Sequence, residues 1–443
     1  MTIAGRAAAA APDMEVRELG DGASRRPLRA NVLPVAGALA FAYVLARPVT
    51  AGNVLYPLLA VGAIACGVTI VAKRRPMSRR LLGALLIVLV LGAIGSLIGV
   101  ANPGFISGFS VWVIAPVLFA SYTFVVTERG LKMLLVTAAV ATSVTSALLI
   151  LYVQGERGTL PDLIPDALVT EGGLIYDPYA NALRYHGLST LVGALPMWMA
   201  SLLVPRHALL PPVWLRLVAT LLCTLAALHS GRRGIVVAAA AAVVMAGAAV
   251  MVWRRREGRE TTGGRGSSVL IAGSAVLAVV AVVGSRSALT QSSWDAVVDF
   301  LFGDGAVSGN GVRREQAARL LQAWGESPWW GQGFGARLPD YLRSVERPWN
   351  FELQYHMLIF QVGLLGLVLL LAAAGLVVGA VVQGLRRRPD LFPVVVVTGS
   401  AMVGFLVANA TNPYLQAPGH LWAIALFLAC VNVASTAPTR HEP

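Results

Sequence analysis

Charged residues are scarce in this chain, and that scarcity excludes most soluble folds. They make up 13 % of the 443 residues, whereas hydrophobic residues make up 56 %. A soluble domain carries roughly a quarter charged residues. The apolar residues also form long blocks, and residues 82–100 and 357–382 contain no charge at all. Each block reaches the ~20 residues that cross ~30 Å of hydrocarbon as a helix. The sequence therefore predicts an all-α polytopic membrane protein.

Lysine and cysteine are also rare. Lys73 and Lys132 are the only lysines among the 35 Lys and Arg residues, and the net charge is +13. Because the basic residues form short clusters between apolar blocks, we reject nucleic acid as a partner. Cys66, Cys223 and Cys430 all fall inside apolar blocks. We therefore expect them to be small core residues and not disulfides or metal ligands.

The sequence has no pattern typical of a metal or cofactor site. There is no HExxH, no CxxC and no DxD-type acidic pair in an outer loop. A Walker A motif, a dinucleotide-binding glycine fingerprint and a GxSxG elbow are missing as well. We expect neither a metal nor another cofactor, and no cytoplasmic domain is large enough to bind ATP.

Hydropathy predicts about twelve transmembrane helices. A disordered cytoplasmic tail (1–30) precedes spans one to nine (31–285), an extracytoplasmic loop follows (286–351), and spans ten to twelve (352–436) lead to a tail (437–443). The predicted spans are 31–48, 51–72, 81–100, 107–127, 131–153, 186–204, 213–230, 233–253, 267–285, 352–383, 391–410 and 418–436.

Arginine clusters predict the orientation. With the N-terminus inside, KRRPMSRR (73–80), WRRREGR (253–259) and LRRR (385–388) are all cytoplasmic, as the positive-inside rule requires. Abundant Ala, Gly and Arg is typical of a GC-rich bacterial genome. We therefore expect a multi-pass protein of the bacterial inner (cytoplasmic) membrane, with long outer loops at 154–185 and 286–351.

The second outer loop is the only sizeable region outside the membrane. SSWDAVVDFLFG (292–303) and VRREQAARLLQAWGES (312–327) are both typical of short amphipathic helices. SPWWGQGFG (327–335) follows as a tight Gly-rich turn with two tryptophans. Any site outside the membrane is therefore expected here.

Arginines on the outer face break the charge rule. Arg232 and Arg233 lie between two apolar spans, and Arg313, Arg314 and Arg337 lie in the second outer loop. Either they extend to anionic headgroups or water, or they line a cavity and bind an anion. Since guanidinium forks match diphosphate oxygens in a bidentate way, a lipid diphosphate is the anion that such a cluster favours.

Glu352 and His356 stand at the mouth of the tenth predicted span. In a helix they are spaced i and i+4, which places a carboxylate and an imidazole on one face. Such a pair suits proton transfer. The alternatives are an interfacial acid and a hydrogen-bonded histidine of the helix bundle.

Three stretches together resemble the bacterial O-antigen ligase and O-antigen polymerase family of membrane glycosyltransferases. SGRRG (230–234) resembles its serine–arginine–glycine motif, with Arg233 at the arginine. The stretch from Arg313 to SPWWGQGFG resembles a helix opened by arginine that ends in Pro–x–x–Gly–x–Gly. FELQYHMLIFQVGLLGL (351–367) resembles a polar pair that leads into a helix ending in Gly–x–x–Gly.

The resemblance implies a membrane-embedded glycosyltransferase of the C type. Its donor would be an undecaprenyl-diphosphate-linked glycan, and its acceptor a glycan or glycolipid at the outer face. Arg233, Arg313 and Arg337 would stabilise the leaving diphosphate without a metal. Glu352 or His356 would take the acceptor proton.

One position departs from the family pattern. Ligases usually carry a histidine eleven residues before the first glycine of the last motif, and Glu352 stands there. Polymerase and ligase therefore both remain open. A transporter or flippase of an anionic lipid or lipid-linked glycan is the alternative class, although no internal repeat or pair of broken segments supports it. A scaffold for envelope assembly is a third.

Overall fold

In a computed structural model, every long helix of the described residues forms where the sequence is apolar, apart from the polar helix at Ser308–Gly325. The structure describes residues 29–48, 52–156, 158–161, 163–164, 176–177, 182–183, 187–230, 233–256, 308–341, 347–410, 412–416 and 418–436. A two-residue antiparallel pair, β1 (Tyr176–Asp177) and β2 (Ala182–Leu183), is the one strand pairing among them.

Helices account for nearly all regular structure in the described part of the chain. They are α1 (Arg29–Ala46), α2 (Gly52–Ala72), α3 (Arg79–Ile98), α4 (Phe105–Phe109), a π-helical turn (Ser110–Ile114), α5 (Ala115–Val125), α6 (Glu128–Glu156), α7 (Leu191–Leu203), α8 (Val213–His229), α9 (Arg233–Arg256), α10 (Ser308–Gly325), α11 (Gln354–Arg387), α12 (Phe392–Ala408) and α13 (Trp422–Thr436). Short 3₁₀ turns cover Leu188–Thr190, Pro389–Leu391, Tyr414–Gln416 and Pro418–Leu421.

Eleven of the twelve predicted spans coincide with helices. The ninth, 267–285, lies outside the described residues, as do the first predicted amphipathic helix, the C-terminal tail and residues 1–28 of the N-terminal tail. Arg29 and Ala30, which were predicted as tail, begin α1. The second predicted amphipathic helix forms as α10. Among the described residues, seven helical stretches are long and apolar enough to cross a membrane. A helix satisfies its own backbone groups, which hydrocarbon demands. The chain is an all-helical, multi-pass membrane protein.

Contacts between helix ends sort the connections into two groups. Arg388 forms an ion pair with Glu128 at 2.6 Å, and the Ser78 backbone N–H donates to the Asn432 side chain at 3.0 Å. We call this the basic end, made of residues 73–80, 127–132, 205–212 and 386–391. Its members join the start of α3, the start of α6 and the ends of α11 and α13.

The loop end lies at the opposite tips of the same helices and comprises residues 99–104, 187–190, 229–230, 233, 308–341, 347–363, 409–410 and 412–416. The Phe334 N–H donates to Gly95 O at 2.9 Å near the end of α3, and the Tyr355 hydroxyl donates to Leu406 O at 2.6 Å near the end of α12. Consecutive long helices therefore run in alternating directions, as repeated crossings require.

Candidate functional site

The site region is organised by a break in the long helix α11. Gly363 has φ 62° and ψ −167°, far from helical values, and divides α11 into a half-helix (354–362) and a long segment (364–387). A break of this kind frees carbonyls before it and amides after it. Two of each bond to the glycine loop, residues 327–335. The bonds run from Gln332 N to Phe360 O and from Gly333 N to Gln361 O at 2.9 Å, from Leu364 N to Pro328 O at 2.9 Å, and from Leu365 N to Trp329 O at 3.1 Å.

Glycine is required where these two backbones meet. A Cβ on Gly363 would lie 2.4 Å from Trp329 O, and one on Gly331 would lie 2.5 Å from Gln361 O. Both residues also have positive φ, which side chains with a Cβ rarely adopt. One glycine of each pattern seen in the sequence, Gly331 of Gly–x–Gly and Gly363 of Gly–x–x–Gly, therefore lies at this backbone contact.

Phe334 fixes the glycine loop to the neighbouring helices. Its ring is fully buried and stacks on Trp112 with centroids 5.6 Å apart. The Asn102 side-chain amide donates to Gln332 O at 2.9 Å and to Phe334 O at 3.1 Å. The loop is thus held on one side by α11 and on the other by α3 and the π-helical turn.

The break also changes what the tenth predicted span contributes. Residues 364–387 extend on the order of 36 Å at 1.5 Å per residue, which is enough to cross ~30 Å of hydrocarbon alone. The half-helix 354–362 is not needed for the crossing. It packs instead in a small core with Leu320 of α10, Leu338 and Phe351.

Helix α10 contacts the chain where α11 begins. The Arg313 Nε–H donates to Glu352 Oε2 at 2.8 Å, and this ion pair is partly exposed. Three residues further along α10, Gln316 is only 1 % exposed. Its Oε1 accepts the backbone N–H of Glu352 at 3.0 Å and that of Leu353 at 3.1 Å. The structure therefore brings together Arg313 and Glu352, which the sequence separates by 39 residues.

The predicted helical pairing of Glu352 with His356 is wrong. The N-cap of α11 is Leu353, so Glu352 stands in a bend before the helix and shares no helical face with His356. The Leu-Gln-Tyr stretch between them carries the chain through the cap. His356 is half-buried and makes no hydrogen bond with any described residue. As candidate bases the two residues are therefore in different surroundings.

The remaining predicted arginines are spread over the loop end. Arg314 and Arg337 are exposed, and Arg337 has no ion pair within the described part of the chain. Arg233 begins α9, but its side chain, like the whole of Arg232, lies outside the described residues. Arg313 is the predicted arginine that the structure joins to a candidate base.

The turn before Arg233 is tied to α6 through a histidine. The Gln154 amide donates to His229 Nε2 at 3.0 Å, and His229 Nδ1–H donates to Leu225 O at 2.8 Å. These two bonds assign the neutral tautomer with the proton on Nδ1. His229 immediately precedes the SGRRG motif, so this contact helps to fix where α9 begins.

Two amides beside Glu352 carry buried polar atoms that no described residue satisfies. They are Oδ1 of Asn350 and both Oε1 and Nε2 of Gln354, whose side chain is fully buried. Buried polar groups are nearly always hydrogen-bonded. The sequence did not single out Asn350, Gln316 or Gln354, since an isolated amide carries no motif.

A group of three or more His, Cys, Asp and Glu side chains fit to hold a metal ion does not occur among the described residues. The surroundings of Glu352 instead offer the fixed positive charge of Arg313, the Glu352 carboxylate and buried amides. No protein-family model matches the chain, and no curated protein sequence matches it either. Its function has to be inferred from its own residues and motifs.

Proposed function

We propose that the chain is a membrane glycosyltransferase of the O-antigen ligase or polymerase type. It transfers or polymerises a glycan from an undecaprenyl-diphosphate donor onto a glycan or glycolipid acceptor. The observation that carries the proposal is the contact of Arg313 with Glu352 beside the broken helix. There a candidate group for the leaving diphosphate meets a candidate base for the acceptor hydroxyl.

The geometry of Arg313 supports a role in binding the donor. Only its Nε is engaged by Glu352, and its Nη nitrogens bond to no other described residue. The side chain is 37 % exposed, so those nitrogens remain accessible to a second anion. A guanidinium carries five N–H donors in a planar fork, which matches diphosphate oxygens. One arginine is therefore able to hold Glu352 and the diphosphate side by side.

The proposed reaction uses these charges in one displacement. The acceptor hydroxyl oxygen attacks the anomeric carbon of the donor glycan, and its proton passes to the Glu352 carboxylate. The bond from that carbon to the diphosphate oxygen breaks, and undecaprenyl diphosphate leaves with the electron pair. Arg313, with Arg233 and Arg337, stabilises the developing negative charge, a task that fixed charges perform without a metal.

We propose further that the loop end faces the outside of the bacterial inner membrane, with twelve crossings and both termini in the cytoplasm. The clusters at 73–80 and 386–388 belong to the basic end, which makes that end cytoplasmic under the positive-inside rule. A cysteine introduced at Gly309 should react with an impermeant reagent in intact cells, whereas one at Gly263 should be protected. The reverse labelling pattern would invert the topology.

Release of undecaprenyl diphosphate tests the proposed activity. A strain deleted for this gene should accumulate the lipid-linked glycan, which can be extracted and returned to vesicles containing the purified chain. The chain should then release undecaprenyl diphosphate and lengthen or transfer the glycan. Movement of intact lipid-linked glycan across the bilayer without cleavage would favour the transporter class instead.

The glycan profile of the same deletion strain separates the two enzymes. Loss of all long chains, with a single unit left on the final acceptor, indicates a polymerase. Long chains that accumulate on the carrier lipid indicate a ligase.

A further inference from the structure

The start of α11 lacks the side chain that usually caps a helix. Its N-cap residue is Leu353, which has no oxygen to offer and makes no capping hydrogen bond. Ser, Thr, Asp and Asn are preferred at this position because their side chains accept backbone N–H groups. A capping side chain would serve the N–H groups of the first helical turn, and those of Glu352 and Leu353, just before α11, need an acceptor as well.

Gln316 of α10 supplies that acceptor from another helix. Its single Oε1 takes the N–H groups of both Glu352 and Leu353, at 3.0 and 3.1 Å. The side chain is almost fully buried at 1 % exposure, so water cannot easily replace it. A buried amide whose oxygen is fully hydrogen-bonded holds its partners in one geometry.

Gln316 and Arg313 act on the same residue from the same side. They are three positions apart on α10, and such positions are neighbours on one helix face. Arg313 holds the Glu352 carboxylate, whereas Gln316 holds its backbone. Glu352 lies in a bend and not in the helix, and these two tethers hold its side chain and its backbone.

We infer that Gln316 is a positioning residue that aims Glu352 at the acceptor hydroxyl. This inference rests on the proposed function, in which Glu352 is the base. Its mechanism is geometric: without the amide oxygen, the backbone of the bend rotates and the carboxylate moves away from the reacting proton. A displacement of about 1 Å is enough to cost on the order of 100-fold in rate.

The test compares three variants of the full chain in vesicles. Gln316→Met keeps the length of the side chain but removes the acceptor, whereas Gln316→Glu keeps oxygens that accept both N–H groups. Gln322→Met makes the same change at an exposed position of α10 and is the matched control. The substrate is the lipid-linked glycan extracted from the deletion strain, and the readouts are undecaprenyl diphosphate release, its binding, and amide hydrogen exchange at 352 and 353.

Gln316→Met should lower kcat about 10- to 100-fold while leaving the binding of undecaprenyl diphosphate and the KM of the donor near wild type. Its amides at Glu352 and Leu353 should exchange faster. Gln316→Glu should recover most of kcat together with the slow exchange. Gln322→Met should resemble wild type in every measurement.

Two failures are distinguishable. If the wild type is active, two results overturn the positioning role alone. In the first, Gln316→Met keeps full kcat. In the second, it loses donor binding and thermal stability in proportion to kcat, and Gln316→Glu does not rescue it. A wild type that releases no undecaprenyl diphosphate overturns the proposed function, and the role assigned to Gln316 with it.

Discussion

The two ends of the molecule use arginine in opposite ways. At the basic end Arg388 is nearly buried, with a side chain 8 % exposed, and all three of its nitrogens are engaged by Glu128 and Asp390 at 2.6–2.9 Å. At the loop end Arg313 uses one nitrogen for Glu352 and keeps a side chain 37 % exposed. A guanidinium whose three nitrogens all bond to carboxylates joins loops to each other, whereas one with a single engaged nitrogen remains available to a ligand.

The electrostatics of the basic end agree with this structural role. The hydrogen bonds that Arg388 donates to Asp390 and Glu128 raise the pKa of its guanidinium further above its already high value. Burial, the largest cause, lowers the pKa of nearby His207, although the neighbouring carboxylates oppose that shift. The charge of Arg388 is matched by two carboxylates of the protein, so this arginine needs no external anion.

The largest expected effect comes from the candidate base at the loop end. Glu352→Gln should lower the rate of glycan transfer by about 10²–10⁴-fold, because an amide cannot take the proton from the hydroxyl of the acceptor glycan. The amide oxygen still accepts the Arg313 Nε–H, so undecaprenyl diphosphate should bind as in wild type. His356→Gln should cost less. Turnover and donor binding measured on both variants decide between them. A dead His356→Gln beside an active Glu352→Gln would mean that the histidine is the base.

The next effect concerns the arginine at the start of α9. Arg233→Lys and Arg233→Ala should both lower turnover by about 10²–10³-fold, because a point charge does not reproduce the fork that binds a diphosphate. Undecaprenyl diphosphate release is the measurement, and Arg337→Lys offers a comparison within the same loop end. Near-normal turnover of Arg233→Lys would leave Arg233 as a residue that faces headgroups.

A smaller effect, on stability alone, is expected at the basic end. Arg388→Gln should lower the free energy of unfolding by about 2–3 kcal/mol, less than a fully buried pair because Glu128 and Asp390 are half-exposed and can regain water. Thermal unfolding in detergent measures this change. Arg386→Gln, at an exposed position, is the control. Turnover below the melting temperature should stay near wild type, and its loss would contradict the contrast between the two ends.

The smallest effect compares two fully buried amides at the loop end. Gln354→Leu should raise stability by about 1 kcal/mol, since neither amide atom has a partner among the described residues. Asn409→Leu should lower it, because that side chain donates to Phe405 O at 2.7 Å and accepts the Leu415 N–H at 2.9 Å. Melting temperatures of the two variants are the measurement. Destabilisation by Gln354→Leu would mean that its amide has a partner, such as an ordered water.

Much of the fold followed from local sequence. Long uncharged blocks such as 357–382 predict helices because hydrocarbon leaves a backbone no other way to satisfy its polar groups. The second amphipathic helix was predicted from the stretch 312–327, and it forms as α10. The two glycine motifs were visible as well, since residues that need positive φ or close backbone approach leave a compositional trace.

What the sequence could not determine was which distant groups meet. It treated 352–383 as one span, whereas the glycine loop breaks that helix at Gly363 by supplying four backbone bonds from residues 328–333. It paired Glu352 with His356 through helical periodicity, but the helix begins only after its N-cap at Leu353, so Glu352 lies outside that periodicity. The contacts of Glu352 with Arg313 and Gln316 depend on how α10 docks against α11. Local sequence determines helices because their bonds are local, and only tertiary packing decides which side chains from separate helices share one carboxylate.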